Sequence, residues 1–185
     1  METGVEMAAQ PWPRLVTYEE FVPLAERSDA DLELHFGQVV EMGRPIPRHV
    51  ALQKRIERLL ETALGSAWEV LVEMPYRAFP QYEARSADVG VASAQRWQIA
   101  LKKDSLFGSP EIVIEVFSPK SNTAAEMAEK AALCLTTGTL QFWVVDDRTS
   151  TITVTTPTET VAFRAGDIIP LGIADASIPV SGVFA

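Results

Sequence analysis

Two acidic residues stand inside short apolar runs, where a carboxylate is costly unless something compensates its charge. Asp88 lies in Ser86-Ala87-Asp88-Val89-Gly90-Val91, and Glu115 in Glu111-Ile112-Val113-Ile114-Glu115-Val116-Phe117-Ser118. Both runs have the Val- and Ile-rich composition of β-strands buried on both faces. An unpaired ion is disfavoured there, and two carboxylates on neighbouring strands repel unless a cation sits between them. The pair therefore points to a divalent metal. Carboxylates, a backbone carbonyl and waters suit Mg²⁺ or Mn²⁺, which prefer oxygen ligands and keep part of their hydration shell. Such a metal polarises a phosphoryl oxygen and acidifies a bound water, and a lysine beside that water would hold it and stabilise developing charge. Sharing one metal requires Asp88 and Glu115 on adjacent strands and on the same face. Along its own strand Glu115 points with Phe117, while Ile114 and Val116 point the other way.

The elements that must position these acids can be read along the chain. Residues 1–13 read as a flexible tail, and 14–185 as a single domain, consistent with a length of 185 residues. Thr17 and Glu20 form a capping box that starts a helix. Residues 32–42, with Gly37 inside them, read as paired strands. A helix carrying Leu52, Ile56, Leu59, Leu60, Ala63 and Leu64 follows and ends at Gly65. Residues 70–79 read as a strand interrupted at Pro75, a bulge or an edge. The Asp88 strand comes next, then a long connection over 93–110 containing Trp97, Lys102 and Lys103. After the Glu115 strand, Ser118-Pro119 acts as a stop, and Asn122 or Thr123 caps a helix over about 124–136. A strand over 140–145 and a Thr-rich hairpin over 151–163 complete the chain. This order predicts an α/β fold with a central mixed sheet flanked by helices and a C-terminal β-hairpin.

Composition narrows the function classes. The chain is 47% hydrophobic and 22% charged, as in an ordinary globular protein. Its one cysteine, Cys134, excludes an intramolecular disulfide and a cysteine-based zinc cluster. The opening residues do not read as a signal peptide, and no apolar run reaches the ~20 residues of a membrane helix, so a cytoplasmic protein without a membrane partner is expected. A net charge of −9 argues against a simple nucleic-acid binder. It is compatible with a metal site, whose acids the bound cation offsets. There is no phosphate-binding Gly-rich loop, dinucleotide fingerprint or Gly-x-Ser-x-Gly elbow.

Seven segments in order then resemble a known family. They are Thr17-Tyr18-Glu19-Glu20-Phe21, Leu32-Glu33-Leu34 with Gly37 to Met42, Pro47-Arg48-His49, Arg85-Ser86-Ala87-Asp88-Val89, Pro110 to Pro119, Lys130, and Gly138 to Asp146. Together they resemble the Uma2-type (DUF820) restriction endonucleases, a branch of the PD-(D/E)XK nuclease superfamily, over nearly everything from Thr17 to Phe184. The resemblance implies a restriction-endonuclease-like core, Mg²⁺- or Mn²⁺-dependent hydrolysis of phosphodiester bonds in nucleic acid, DNA above all, and a site of Glu33, Asp88, Glu115 and Lys130. Asp88 and Glu115 would be the metal ligands, Lys130 would hold the attacking water, and Glu33 would be a second-metal or water-linked acid. The superfamily's usual lysine would fall at Phe117; the related pattern supplies it from the next helix, where Lys130 stands. Ala87 replaces the family's proline and Cys134 its tyrosine.

Each residue also has a plainer role. Asp88 could cap a turn, Glu115 could pair with Lys130 or Arg85 as a structural salt bridge, and Lys130 could be a solvated helix residue paired with Glu126. Glu33 alone reads as structural. His35 and His49 are too few and too poorly spaced for a zinc site; His49 reads as a surface residue at a helix start or as a phosphate contact. Lys54, Arg55 and Arg58 alternate with acids and read as a solvated helix face, while Lys102, Lys103 and Lys120 could line a substrate groove. The alternative to catalysis is a binding or scaffold protein retaining the nuclease fold, which would bind metal without turnover; a small-molecule phosphohydrolase would act on nucleotides but not polymers. The Thr-rich hairpin could pair across a homodimer.

Overall fold

A computed structural model describes residues 14–118 and 123–185. The expected tail, and the readings placed on Pro119, Lys120 and Asn122, lie outside the described residues. Helix α1 (Tyr18–Ala25) starts at Thr17 through the expected capping box with Glu20. Strands β1 (Leu32–His35) and β2 (Gln38–Glu41) pair antiparallel. Their turn passes through Gly37, whose φ of +79° favours glycine. Helix α2 (Pro47–Leu64) has proline at its first position, where the missing N–H costs nothing. It ends at Gly65.

The main sheet contains β3 (Trp68–Tyr76), β4 (Arg85–Ser93), β5 (Ile112–Val116), β6 (Gln141–Asp146), β7 (Thr151–Thr155) and β8 (Thr160–Phe163), in that spatial order. Only β5 and β6 run parallel; every other neighbouring pair is antiparallel. Parallel neighbours need a crossover, and α4 (Ala124–Thr136) supplies it. Thr123 caps this helix, again through a capping box, here with Glu126. The sheet is therefore mixed, as expected, and β7–β8 is the expected Thr-rich hairpin.

Helices cover both faces because each sheet face is apolar. Leu52, Ile56, Leu60 and Leu64 of α2 pack on Val70, Val89, Val91, Ile112, Ile114 and Val116. Each such buried aliphatic side chain contributes about 1.5–3 kcal/mol. On the opposite face Leu133 and Cys134 of α4 meet Met74, Tyr76, Ala87, Val113 and Phe142.

Three local readings are corrected. The connection after Ser93 is mostly helical: α3 (Ala94–Lys103) starts at the Ser93 cap and ends in the exposed pair Lys102 and Lys103. Its amphipathic pattern is blurred because the apolar Ile99 and Leu101 are exposed, while its one buried residue is Ala100. Strand β3 is an edge strand, as one of the two readings of Pro75 had it, but it runs through Pro75 without the expected interruption; its irregular residue is Glu73, with φ +53°. Finally, β9 (Ile168–Leu171), β10 (Ala176–Pro179) and the short α5 (Val180–Phe184) follow the Thr-rich hairpin, and Ile169, Ile178, Val180 and Val183 join the core beneath α2. No described helix is long and apolar enough to cross a membrane.

Candidate functional site

The site forms where the sheet comes apart. The β4–β5 ladder pairs Val91 with Ile112, Gly90 with Val113 and Val89 with Ile114, and its register would next set Asp88 opposite Glu115. There the backbone pairing stops, and side chains take over its hydrogen bonds. The Val116 N–H donates to Asp88 Oδ2 at 2.6 Å. The Ser86 N–H donates to Glu33 Oε1 at 2.7 Å, and the Ser86 carbonyl accepts from Lys130 Nζ at 2.9 Å. Buried backbone polar groups must be paired, so this fork in the sheet itself demands polar side chains. All four residues expected from the sequence are drawn to it: Glu33 from β1, Asp88 from β4, Glu115 from β5 and Lys130 from α4.

Lys130 and Glu115 are both buried, and Nζ lies 2.8 Å from Glu115 Oε1. At this distance the contact is a charge-assisted pair between two buried groups. Burial, reinforced by the Asp88 charge, pushes the Glu115 carboxyl up to about 8 against the pull of Lys130. Burial works against the Lys130 ammonium too, but Glu115, Glu33 and Asp88 outweigh it and hold the ammonium charged. The expected pairing of Glu115 with Lys130 is present. Arg85 is not involved; it is bound to the fully buried Glu83. Nor does Glu126 pair with Lys130, since its carboxylate is engaged at the helix cap.

Both histidines lie against site acids, contrary to the expectation for His49. His35 Nε2 is 2.6 Å from Glu33 Oε2. Burial raises the Glu33 carboxyl, yet His35, Lys130 and the Ser86 N–H together bring it below its ordinary value. His49, on the first turns of α2, reaches Asp88 Oδ1 at 3.1 Å, and this bond raises its pKa. Gln53 lies one turn further, on the same face of the helix, and its amide Nε2 donates to both Asp88 Oδ1 (3.1 Å) and Glu73 Oε1 (2.5 Å). His49, Glu73 and Asp88 each offer a ligand atom within 4.8 Å of the others.

Glu73 and Gln53 are the residues that sequence reasoning missed. Glu73 carried the same signal as Glu115, an acid inside an apolar run, Val70-Leu71-Val72-Glu73-Met74. Gln53 is a buried polar residue beside the apolar stripe of α2. The chemistry open to the cluster follows from its donors. Carboxylate oxygens suit Mg²⁺ or Mn²⁺, and a neutral imidazole nitrogen favours a transition ion such as Mn²⁺ over Mg²⁺. The convergent Asp88, Glu73 and His49 fit a cation of this class.

The family described as "Uma2: Putative restriction endonuclease" matches residues 18–181. The fold is similar to that in a crystal structure of "a putative nuclease belonging to DUF820" from Anabaena variabilis. The TM-score is 0.76 at 19% identity, covering 91% of this chain and 97% of that one. Among curated proteins, none matches this chain in sequence.

Proposed function

Because the chain belongs to the Uma2 family, we propose that it is a metal-dependent endonuclease hydrolysing phosphodiester bonds in nucleic acid, DNA in the first instance. The observation that carries this reading is the convergence of His49, Glu73 and Asp88, each offering a ligand atom within 4.8 Å of the others, with Asp88 on the strand next to that of the buried Lys130–Glu115 pair.

Asp88 and Glu115 are the metal ligands in this proposal, with Glu73 and His49 at the exposed rim where a cation would enter. Mg²⁺ or Mn²⁺ in this position supplies positive charge to a phosphoryl oxygen and a more acidic water. Lys130 uses one N–H on the Ser86 carbonyl, faces Glu115 with a second, and retains a third for the attacking water or the phosphoryl oxygen. Glu33 fixes Ser86 from the other side and so positions Lys130, and it stays ionised because His35 and the Ser86 N–H hold its charge.

The test is nicking of supercoiled plasmid with Mn²⁺ or Mg²⁺ by the wild type, Asp88→Ala, Glu115→Gln and Lys130→Met. Metal-dependent nicking by the wild type alone is expected. Equal nicking by all four would remove the site assignment, and metal binding with no turnover on any DNA or RNA would replace the enzyme with a binding protein of the same fold.

A further inference from the structure

Resting on the nuclease reading, we propose that Arg77 binds a backbone phosphate of the nucleic acid, as a second contact point away from the acids. Arg77 follows β3 directly and is 9% exposed. Its Nε is buried and meets no acceptor among the described residues. A buried guanidinium N–H without an acceptor is costly, while the two Nη nitrogens are not among the buried unpartnered atoms. The acid that acts on Arg77 from nearby is Glu19, which is exposed and lies beyond ion-pair distance.

What does surround Arg77 is aromatic. Its guanidinium carbon lies 3.4 Å from the centroid of the Tyr18 ring and 5.0 Å from that of Phe107. Stacking of this kind occupies the faces of the guanidinium and leaves its edge donors pointing outward, the geometry for bidentate binding of a phosphate. The backbone is fixed as well: the Arg77 N–H donates to the Leu106 carbonyl at 2.9 Å, and the Gly108 N–H donates to the Arg77 carbonyl at 3.0 Å. The cover is thin, since Phe107 is exposed. Lys103 adds a second cation, its Nζ 6.0 Å from the Phe107 ring. The result is a preorganised cation at the surface of a chain with net charge −9.

Its position selects the ligand. Arg77 lies four residues beyond Glu73, about 13 Å along extended chain. A ligand that engages the acids and Arg77 together must carry negative charges in series over that distance. A polynucleotide does so, spanning it in about four base pairs. A mononucleotide phosphate does not.

The experiment measures binding of a short fluorescent DNA duplex, with Ca²⁺ replacing Mg²⁺ and with gels confirming intact DNA, over a range of salt concentrations. Wild type, Arg77→Met and Arg77→Lys are compared, with thermal unfolding run on each. For Arg77→Met we expect about tenfold weaker binding and a slope of log Kd against log salt reduced by about 1. Arg77→Lys keeps the charge and should retain the slope. If Arg77→Met lowers only the melting temperature, with affinity and slope unchanged, Arg77 is a packing residue and the proposal falls while the nuclease reading stands. A wild type that binds neither duplex DNA, single-stranded DNA nor RNA at any salt overturns both. Should Arg77→Met fail to fold, Arg77→Gln, which keeps a polar side chain without the charge, is measured instead, and an unchanged slope in it overturns the proposal.

Discussion

Glu73 and Asp88 stand opposite each other on β3 and β4, at the point where both strands exchange the faces their side chains serve. The register pairs Val72 with Val89 and Met74 with Ala87, which leaves Glu73 facing Asp88 between them. Before this point Val70 and Val72 pack beneath α2; after it Met74 and Tyr76, of the same parity, pack on the α4 side. On β4, Val89 and Val91 face α2 while Ala87 faces α4. The positive φ of Glu73 is the local cause, a conformation unusual for a side chain with a Cβ. The exchange turns Asp88 toward His49 and Gln53 instead of burying it under α4.

Placing two carboxylates face to face costs stability until a cation joins them. Burial and the Asp88 charge raise the Glu73 carboxyl, with Gln53 opposing. Glu73→Gln should therefore raise the melting temperature of the metal-free protein at neutral pH and reduce the further rise produced by Mn²⁺. Thermal unfolding in chelator and in Mn²⁺ measures both. A larger Mn²⁺ shift in the variant would remove Glu73 from the metal site.

Stability of the metal-free protein should fall as pH rises through the window set by Glu115. Its carboxyl is pushed up to about 8 when folded and returns to its ordinary value of 4.5 when unfolded. Between those limits the folded state holds the extra proton, so raising the pH favours unfolding, by up to about 1.4 kcal/mol per pH unit. Above about 8 the contribution is fully lost. Denaturant unfolding in chelator from pH 5 to 8.5 should show this slope in wild type and a flatter one in Glu115→Gln.

Much of this arrangement was legible in the sequence, and the illegible part has a physical pattern. Asp88 and Glu115 stood out because a carboxylate in an apolar run needs compensation, and Lys130 and Glu33 were placed by resemblance. Their meeting at Ser86 was not readable, because it depends on where the β4–β5 ladder ends. Glu73 was obscured by its neighbour Pro75, whose strand-breaking tendency an edge strand absorbs. His49 read as a surface residue because its role depends on the packing of α2 over the sheet, a long-range relationship that local spacing does not encode. The β9–β10 hairpin was missed for the same reason: its short strands carry little periodicity, and the core beneath α2 holds them in place.

Lys130→Met should be destabilising as well as inactivating, and the two effects should separate. Removing the ammonium strands the Ser86 carbonyl and, above about pH 8 where Glu115 is ionised, leaves its carboxylate without a counter-charge; breaking a buried pair costs roughly 3–5 kcal/mol. Adding Glu115→Gln should recover much of that loss, giving a coupling of about 1–3 kcal/mol in a double-mutant cycle. Nicking activity should stay down about 10²-fold or more in the single and double variants, since the cation proposed to stabilise the transition state is gone in both. Full additivity of the two stability changes would show that the residues do not interact.

Gly90 tests whether the exchange of faces matters for the site. A Cβ placed at Gly90 would lie 2.6 Å from the Cβ and 2.7 Å from the sulfur of Met74, the first residue after Glu73 on the inverted side. The inversion brings Met74 under β4, and only a residue without a side chain leaves room for it. Gly90→Ala should cost about 1–3 kcal/mol by overpacking. The strain should be released by moving β3, carrying Glu73 away from Asp88. We therefore expect Mn²⁺ affinity to weaken along with stability, measured by titration calorimetry on the folded variant. Shortening the opposing side chain in Gly90→Ala, Met74→Ala should restore Mn²⁺ affinity even though the smaller core leaves stability below wild type. Mn²⁺ affinity unchanged in Gly90→Ala would show that the metal cluster is indifferent to the β3–β4 alignment and relies on α2 alone.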